Sequence, residues 1–241
     1  MDEPNRTHIV KALMHIDLTK PVQRIISLLA LSSFLGAAEL HSIQLLDLTG
    51  APVVNAVIEI EATPLGEPLS VADDYVMDQI DFRFAPVVLA IPRGADVRFP
   101  NSDDSRHHVY SFSEAKTFEL KLYAGNQAPP VNFDTNGIVA VGCNIHDKMN
   151  AHIYITEAPV VAMSDQTGLA SIPKHAPSAD QNIQVWHPFL MTPLTFSLAE
   201  LNLDKNNHAT LTLPIALPVE TEPSGSTGLR DRLKSFKSNG N

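Results

Sequence analysis

One cysteine, Cys143, is all that the 241 residues contain, so no disulfide can form within the chain. Beyond the first forty residues, no apolar run approaches the roughly 18 residues that mark a membrane-spanning helix. Basic charge is in deficit, with 17 Lys and Arg against 27 Asp and Glu and a formal net charge of −10. That balance argues against nucleic acid and anionic membrane surfaces as partners and first of all serves solubility. No helical period persists far enough for an α domain. No glycine-rich nucleotide loop occurs, and no nucleophile triad or pair of catalytic carboxylates stands out.

The first forty residues carry an export pattern. Lys20 and Arg24 precede an apolar run from Ile25 to Leu35, and Gly36-Ala37-Ala38 comes next with small side chains. The run is too short to cross a bilayer comfortably. The pattern is that of a secretory signal peptide over residues 1–38, cleaved near Ala38. The alternative is an uncleaved anchor. Either way the expected location is periplasmic, with no integral membrane span in the mature chain.

Turn residues punctuate the remainder of the chain. Eighteen prolines and eleven glycines separate short apolar segments rich in Val, Ile and Phe, which predicts an all-β fold. Strands are expected at 43–48, 53–61, 79–84, 87–91, 97–99, 108–112, 117–122, 131–133, 138–141 and 151–155. Asp134-Thr135-Asn136-Gly137 is a turn joining two of them just before Cys143. A boundary falls near Pro159. The expected organisation is one sandwich domain over 39–157 with an inserted loop near 62–77, a small β domain over 158–217, and a disordered tail over 218–241.

The lone thiol explains itself through its neighbours. Cys143-Asn144-Ile145-His146-Asp147-Lys148-Met149 sets a thiolate, an imidazole and a thioether within seven residues. Those donors suit copper: sulfur is soft enough for Cu(I), and nitrogen serves both valences. A mononuclear electron-transfer site needs a second imidazole. His107 and His108, at the start of an expected strand, are the upstream candidates. Neighbours on a strand point to opposite faces, so only one of the pair can reach an ion. Zinc is disfavoured by a methionine ligand. His41, His152, His175, His187 and His208 have no metal spacing and read as surface or structural residues.

The order Phe84, Pro86, Leu89, Ile91, Gly94, Val97, Phe99, Asn101, Asp103, His107, Val109, then Cys143, His146 and Met149, resembles the cupredoxins, the type 1 blue copper family. The likeness is strongest to plastocyanin-like proteins and methylamine utilisation proteins, over about residues 78–157. It implies a cupredoxin-type Greek-key β-sandwich and one copper ion per chain. It also implies His107 rather than His108 as the upstream ligand, with Cys143, His146 and Met149 completing the set, and Asn101 tying the two ligand loops together. Met149 stands closer to His146 than the axial methionine of plastocyanin does to its histidine. Phe112, Phe133, Tyr110 and Ile145 are candidates for an apolar collar, or are ordinary core.

Asp47-Leu48-Thr49-Gly50 and Ser164-Asp165-Gln166-Thr167-Gly168 resemble segments of small immunoglobulin-like or carboxypeptidase-regulatory-like domains. The functional expectation is a copper protein that is not an enzyme and shuttles single electrons between redox partners the sequence does not identify. The alternative is a copper-holding or copper-delivery module in an envelope assembly. A copper oxidase or nitrite reductase would need a second copper site, and the His-x-His pairs for one are missing.

Overall fold

The computed structural model describes residues 40–60, 74–158, 160–172 and 181–218. The expected signal peptide, most of the expected inserted loop and nearly all of the expected tail lie outside these residues. The described residues are almost wholly β. The strands are β1 (Ser42–Leu46), β2 (Val57–Ile60), β3 (Tyr75–Val76), β4 (Asp78–Ile80), β5 (Arg83–Ala85), β6 (Val88–Pro92), β7 (Ala95–Arg98), β8 (His107–Ser113) and β9 (Lys116–Tyr123). They continue with β10 (Val131–Phe133), β11 (Gly137–Gly142), β12 (Asn150–Thr156), β13 (Val160–Met163), β14 (Leu169–Ser171), β15 (Asn182–Trp186), β16 (Leu194–Ser197) and β17 (His208–Thr212). A single 3₁₀ turn, Leu198–Glu200, is the helical structure among the described residues. No helix there is long and apolar enough to cross a membrane.

Two apolar cores organise the strands. The first lies within a sandwich made of a five-stranded sheet, ordered β6-β12-β11-β8-β9, and a three-stranded sheet, ordered β10-β7-β3. Alternate residues point inward, as the pleat requires. Ile91, Val109, Val139, Val141, Ala151, Ile153 and Ile155 come from the larger sheet and Ala95, Val97 and Phe133 from the smaller. Phe133 is fully buried and meets Phe118 edge to face at 5.9 Å between ring centroids. The chain crosses between the two sheets on either side of β7, and again on either side of β10. The Asp134–Gly137 turn therefore joins strands of different sheets and does not close a hairpin.

The second core gathers residues from both sides of the first in sequence. Ile43, Leu45, Val57, Ile58 and Ile60 pack with Ala170, Ile183, Val185, Trp186, Leu211 and Leu213. β1 lies between β14 and β17, and β2 between β13 and β15. This corrects the expected grouping of residues 39–157. Its first two strands pair with the segment beyond 158, not with the sandwich that carries Cys143. Ser164 makes the junction specific. Its hydroxyl donates to the Val53 carbonyl at 2.7 Å and accepts from the Ala56 N–H at 2.9 Å. Where the two cores meet, the Tyr154 hydroxyl donates to Glu59 at 2.7 Å, and its ring lies 5.7 Å from that of Trp186.

Two further expectations need correction. Tyr75 and Val76, placed within the inserted loop, form β3 beside β7, and Met77 is fully buried. Residues 79–84, read as one strand, are a hairpin. β4 and β5 pair antiparallel about a two-residue turn at Asp81 and Phe82, whose φ angles are 52° and 57°. Both lie in the left-handed region, where a phenylalanine is uncommon.

The two Asp-x-Thr-Gly segments fold alike. Asp47 Oδ1 accepts from the Thr49 N–H and hydroxyl and from the Ala51 N–H, at 2.8, 2.6 and 2.9 Å. Asp165 Oδ1 accepts from Thr167 and Leu169 in the same pattern. Such side-chain turns offer the backbone local partners where a strand must end. Asp47 is buried and also accepts from the Leu217 N–H at 2.9 Å. The Thr49 hydroxyl and the Leu217 N–H, opposed by burial, pull its carboxyl down to about 2. The unfolded chain protonates this group first on acidification. The stability it contributes is therefore complete above about pH 4 and lost as pH falls toward about 2. Urea midpoints measured against pH should fall less steeply across that window in Asp47→Asn than in the native chain; identical acid limbs would remove this carboxylate from the account.

Candidate metal centre

His107 opens β8 and is fully buried. β8 pairs with β9 in regular register from Val109 onward, but His107 pairs with Tyr123, so the register shifts by one residue between His107 and Val109. A bulge of this kind bends a strand and re-aims a side chain. The extra residue lies in β9, and the alternation along β8 leaves His107 and His108 on different sides. The His107 ring points into the sandwich. The His108 ring lies 5.5 Å from that of Tyr110, and its Nε2 pairs with Glu119 at 2.9 Å.

The other donors come from the connection between β11 and β12. Cys143 directly follows Gly142, the last residue of β11. Gly142 lies against Tyr110, and a Cβ at that position would stand 3.2 Å from the tyrosine ring. The connection closes on itself: the Cys143 N–H donates to the Met149 carbonyl at 3.1 Å, and the Met149 N–H to the His146 carbonyl at 2.9 Å. Cys143 is 5% exposed and Met149 is 1% exposed, whereas His146 is half-buried.

Three atoms converge. Nδ1 of His107 and Nδ1 of His146 are 3.1 Å apart, and Cys143 Sγ lies 3.9 Å from the first and 3.7 Å from the second. Among the described residues these three side chains form the group able to hold a metal ion. A triangle with those edges has a circumscribed radius of about 2.1 Å, within the roughly 2.0–2.3 Å at which imidazole and thiolate donors bind a first-row ion. The donors present therefore fit a small ion with two nitrogen ligands and one sulfur ligand.

Around the three atoms, one carboxylate stands out. His107 Nε2 pairs with Asp103 Oδ2 at 2.7 Å. An N–H donated from Nε2 leaves Nδ1 with a free lone pair facing the cluster. Burial pushes the Asp103 carboxyl up, but the Phe82 N–H, the His107 ring and the Asp81 N–H outweigh it and hold the group below its ordinary value. Phe82 packs edge-on against both imidazoles, 5.7 Å from His107 and 4.9 Å from His146 between ring centroids. Asp103 belongs to the string of residues that resembles the cupredoxins, but nothing in the sequence shows its contacts, and Phe82 carries no signal at all. The first acts on a turn about twenty residues away, and the second sits in a turn lacking the usual glycine or asparagine.

The remaining expected neighbours divide. Phe133 is core, Phe112 is 82% exposed and belongs to no collar, and Ile145 is half-exposed beside His146. Asn101 is buried, and its Nδ2 donates to the Ser105 and Tyr123 carbonyls at 2.8 and 2.9 Å. It binds the His107 loop to the end of β9 rather than to the Cys143 loop, which corrects the expected link. His41 Nδ1 pairs with the Asn206 carbonyl, and His208 Nδ1 pairs with the Ser42 hydroxyl. His152 packs against Trp186 and His187 against Phe189. Burial pushes both of these imidazoles below their ordinary value. His175 lies outside the described residues.

No protein-family model matches the chain, and no curated protein matches it. Among solved structures the chain is similar to the Cu-containing nitrite reductase NirK from Thermus scotoductus SA-01. The identity is 22%, over 40% of this chain and 28% of that one, with a TM-score of 0.33. It is also similar to a purple cupredoxin from Nitrosopumilus maritimus, at 18% identity over 34% of this chain and 100% of that one, with a TM-score of 0.31. A reduced Cu(I) form of an amicyanin variant matches at 20% identity over 41% of this chain and 98% of that one, with a TM-score of 0.33. This chain spans little more than a quarter of the nitrite reductase's length.

Proposed function

We propose that this chain is a periplasmic type 1 copper protein of cupredoxin type, not an enzyme, that carries single electrons between redox partners. Its ligands are His107, Cys143, His146 and Met149. The observation that carries the reading is the convergence of two Nδ1 atoms and one Sγ at 3.1–3.9 Å from one another. Two imidazoles and a thiolate, with a weak axial thioether, are the donor set of blue-copper electron-transfer sites. Bound copper would supply a one-electron couple between Cu(I) and Cu(II).

The chain's own contribution is rigidity and seclusion. A strand start and a self-closed loop hold the donors, so a change of valence finds them already placed. Cys143 and His107 are shut from water, which keeps the sulfur in an apolar setting and tunes the potential. Of the four proposed ligands, His146 is the one with an edge toward solvent, between the half-exposed Phe82 and Ile145. The electron would leave and enter there. A delivery module must release its ion to a partner, and donors as enclosed as these serve retention better.

The copper-loaded protein should show an intense thiolate-to-Cu(II) band in the visible that disappears on reduction and returns on oxidation. Cys143→Ser and His107→Ala should abolish the band and His108→Ala should keep it; a colourless His108→Ala protein would reverse the choice of histidine. A protein that holds Cu(I), never cycles, and passes the ion to a chelator would establish the delivery role instead. In Met149→Leu the band should persist while the reduction potential moves by about 60 mV or more, a tenfold change in the relative affinity for the two valences. An unmoved potential in protein-film voltammetry would take Met149 out of the ligand set.

A further inference from the structure

The hairpin that the sequence hid is attached to the metal centre through one side chain. At its tip the backbone of Asp81 and Phe82 is left-handed, with φ of 52° and 57°. Hairpin turns of this hand favour glycine and asparagine, because a Cβ is crowded there. A phenylalanine persists in such a conformation only where its surroundings hold it. Here the Asp103 carboxylate does so. Oδ1 accepts the Asp81 N–H at 2.7 Å, and Oδ2 accepts the Phe82 N–H at 3.0 Å. The same Oδ2 pairs with His107 Nε2 at 2.7 Å.

The loop bearing Asp103 is itself fixed to the hairpin and to the core. The Asp103 N–H donates to Asn101 Oδ1 at 3.0 Å, the Ser102 hydroxyl donates to Asp78 at 2.7 Å, and the Ser102 N–H donates to the Gln79 carbonyl at 2.9 Å. The result is a short chain of contacts running from the turn through Asp103 to the buried imidazole, with the Phe82 ring lying over both histidines.

We propose that Asp103 is a positioning residue of the metal centre: one carboxylate orients His107 with Nδ1 inward and latches the β4–β5 turn, so that Phe82 shields the half-buried His146. The inference rests on the reading of His107 and His146 as metal ligands, but its structural content holds in the metal-free chain. Removing Asp103 frees two things at once. His107 loses the partner that keeps its proton on Nε2, and the strained turn loses the acceptors that hold it. Phe82→Gly separates the two effects, since glycine accepts the positive φ and takes away only the ring.

The test is nitrogen-detected NMR of the histidine rings and amide exchange on the full metal-free chain, and then Cu(I) competition titration. In the native chain His107 should carry its proton on Nε2, and the Asp81 and Phe82 amides should exchange slowly. Asp103→Ala should mix the His107 tautomers, speed exchange at both amides and weaken Cu(I) binding by about 10–100-fold, the usual effect of removing a partner that orients a ligand. Asp103→Asn, which keeps the shape and one carbonyl oxygen, should fall between. Phe82→Gly should leave the His107 tautomer as it was, while diethyl pyrocarbonate modifies His146 several-fold faster by mass spectrometry.

A native His107 protonated on Nδ1 overturns the proposal without any variant. So does an Asp103→Ala protein with native tautomer, amide exchange and affinity. Absence of copper binding alongside the expected tautomer and exchange would defeat the functional reading and leave the latch standing. A normal blue centre that is indifferent to Asp103 would do the reverse.

Discussion

The connection from Cys143 to Met149 is the constraint on which the proposed centre depends. Two backbone hydrogen bonds close it, and they set the main chain of Cys143, His146 and Met149 relative to one another within the connection itself. Only His107 then has to be delivered from elsewhere, and β8 delivers it across a single register shift. A site built this way needs few long-range coincidences. The candidate donors are held by main chain and by burial, so an ion would meet a prepared arrangement and need not organise one.

The surrounding architecture serves that arrangement by separating labour. The sandwich with Cys143 has its own core, and a second core is built from chain segments that precede and follow it. β1 and β2 close the second core by pairing with β13, β14, β15 and β17. The segment that holds Cys143 thus leaves and re-enters a neighbouring β unit, with both its ends tied down. Ends held in ladders fray less than free termini. Tyr154, reaching from β12 to Glu59 on β2, links the two cores directly.

Much of this was legible in the residues. The spacing of Cys143, His146 and Met149 set three candidate donors on one connection, and the structure brings the Cys143 and His146 atoms together with His107. Alternation along a strand showed that His107 and His108 could not both face one ion, and the structure places them on different sides. The Asp-x-Thr-Gly segments were read only for their likeness to small β modules, and the structure shows them as turns in which an aspartate bonds the backbone two and four residues on. The hairpin at Asp81 and Phe82 was not legible, since neither residue favours positive φ and the carboxylate that stabilises it lies about twenty residues downstream. Asn101 was expected to join the ligand loops and joins the loop before β8 to the end of β9 instead, since an amide bonds the carbonyls that folding brings to it. Phe112 was offered as part of a collar and faces solvent.

The sequence by itself determined local things: an all-β chain, the turn at Asp134–Gly137, and a thiolate, imidazole and thioether too close together to be separated by any strand. These come from short-range sterics and donor chemistry, which act over a few residues. The tertiary structure alone decided which distant segments meet. It paired β1 and β2 with the C-terminal strands, brought the Asp103 carboxylate to both a strained turn and a buried imidazole, and set Phe82 against His146. Such meetings depend on the whole pattern of burial and register, and no window of sequence contains that pattern.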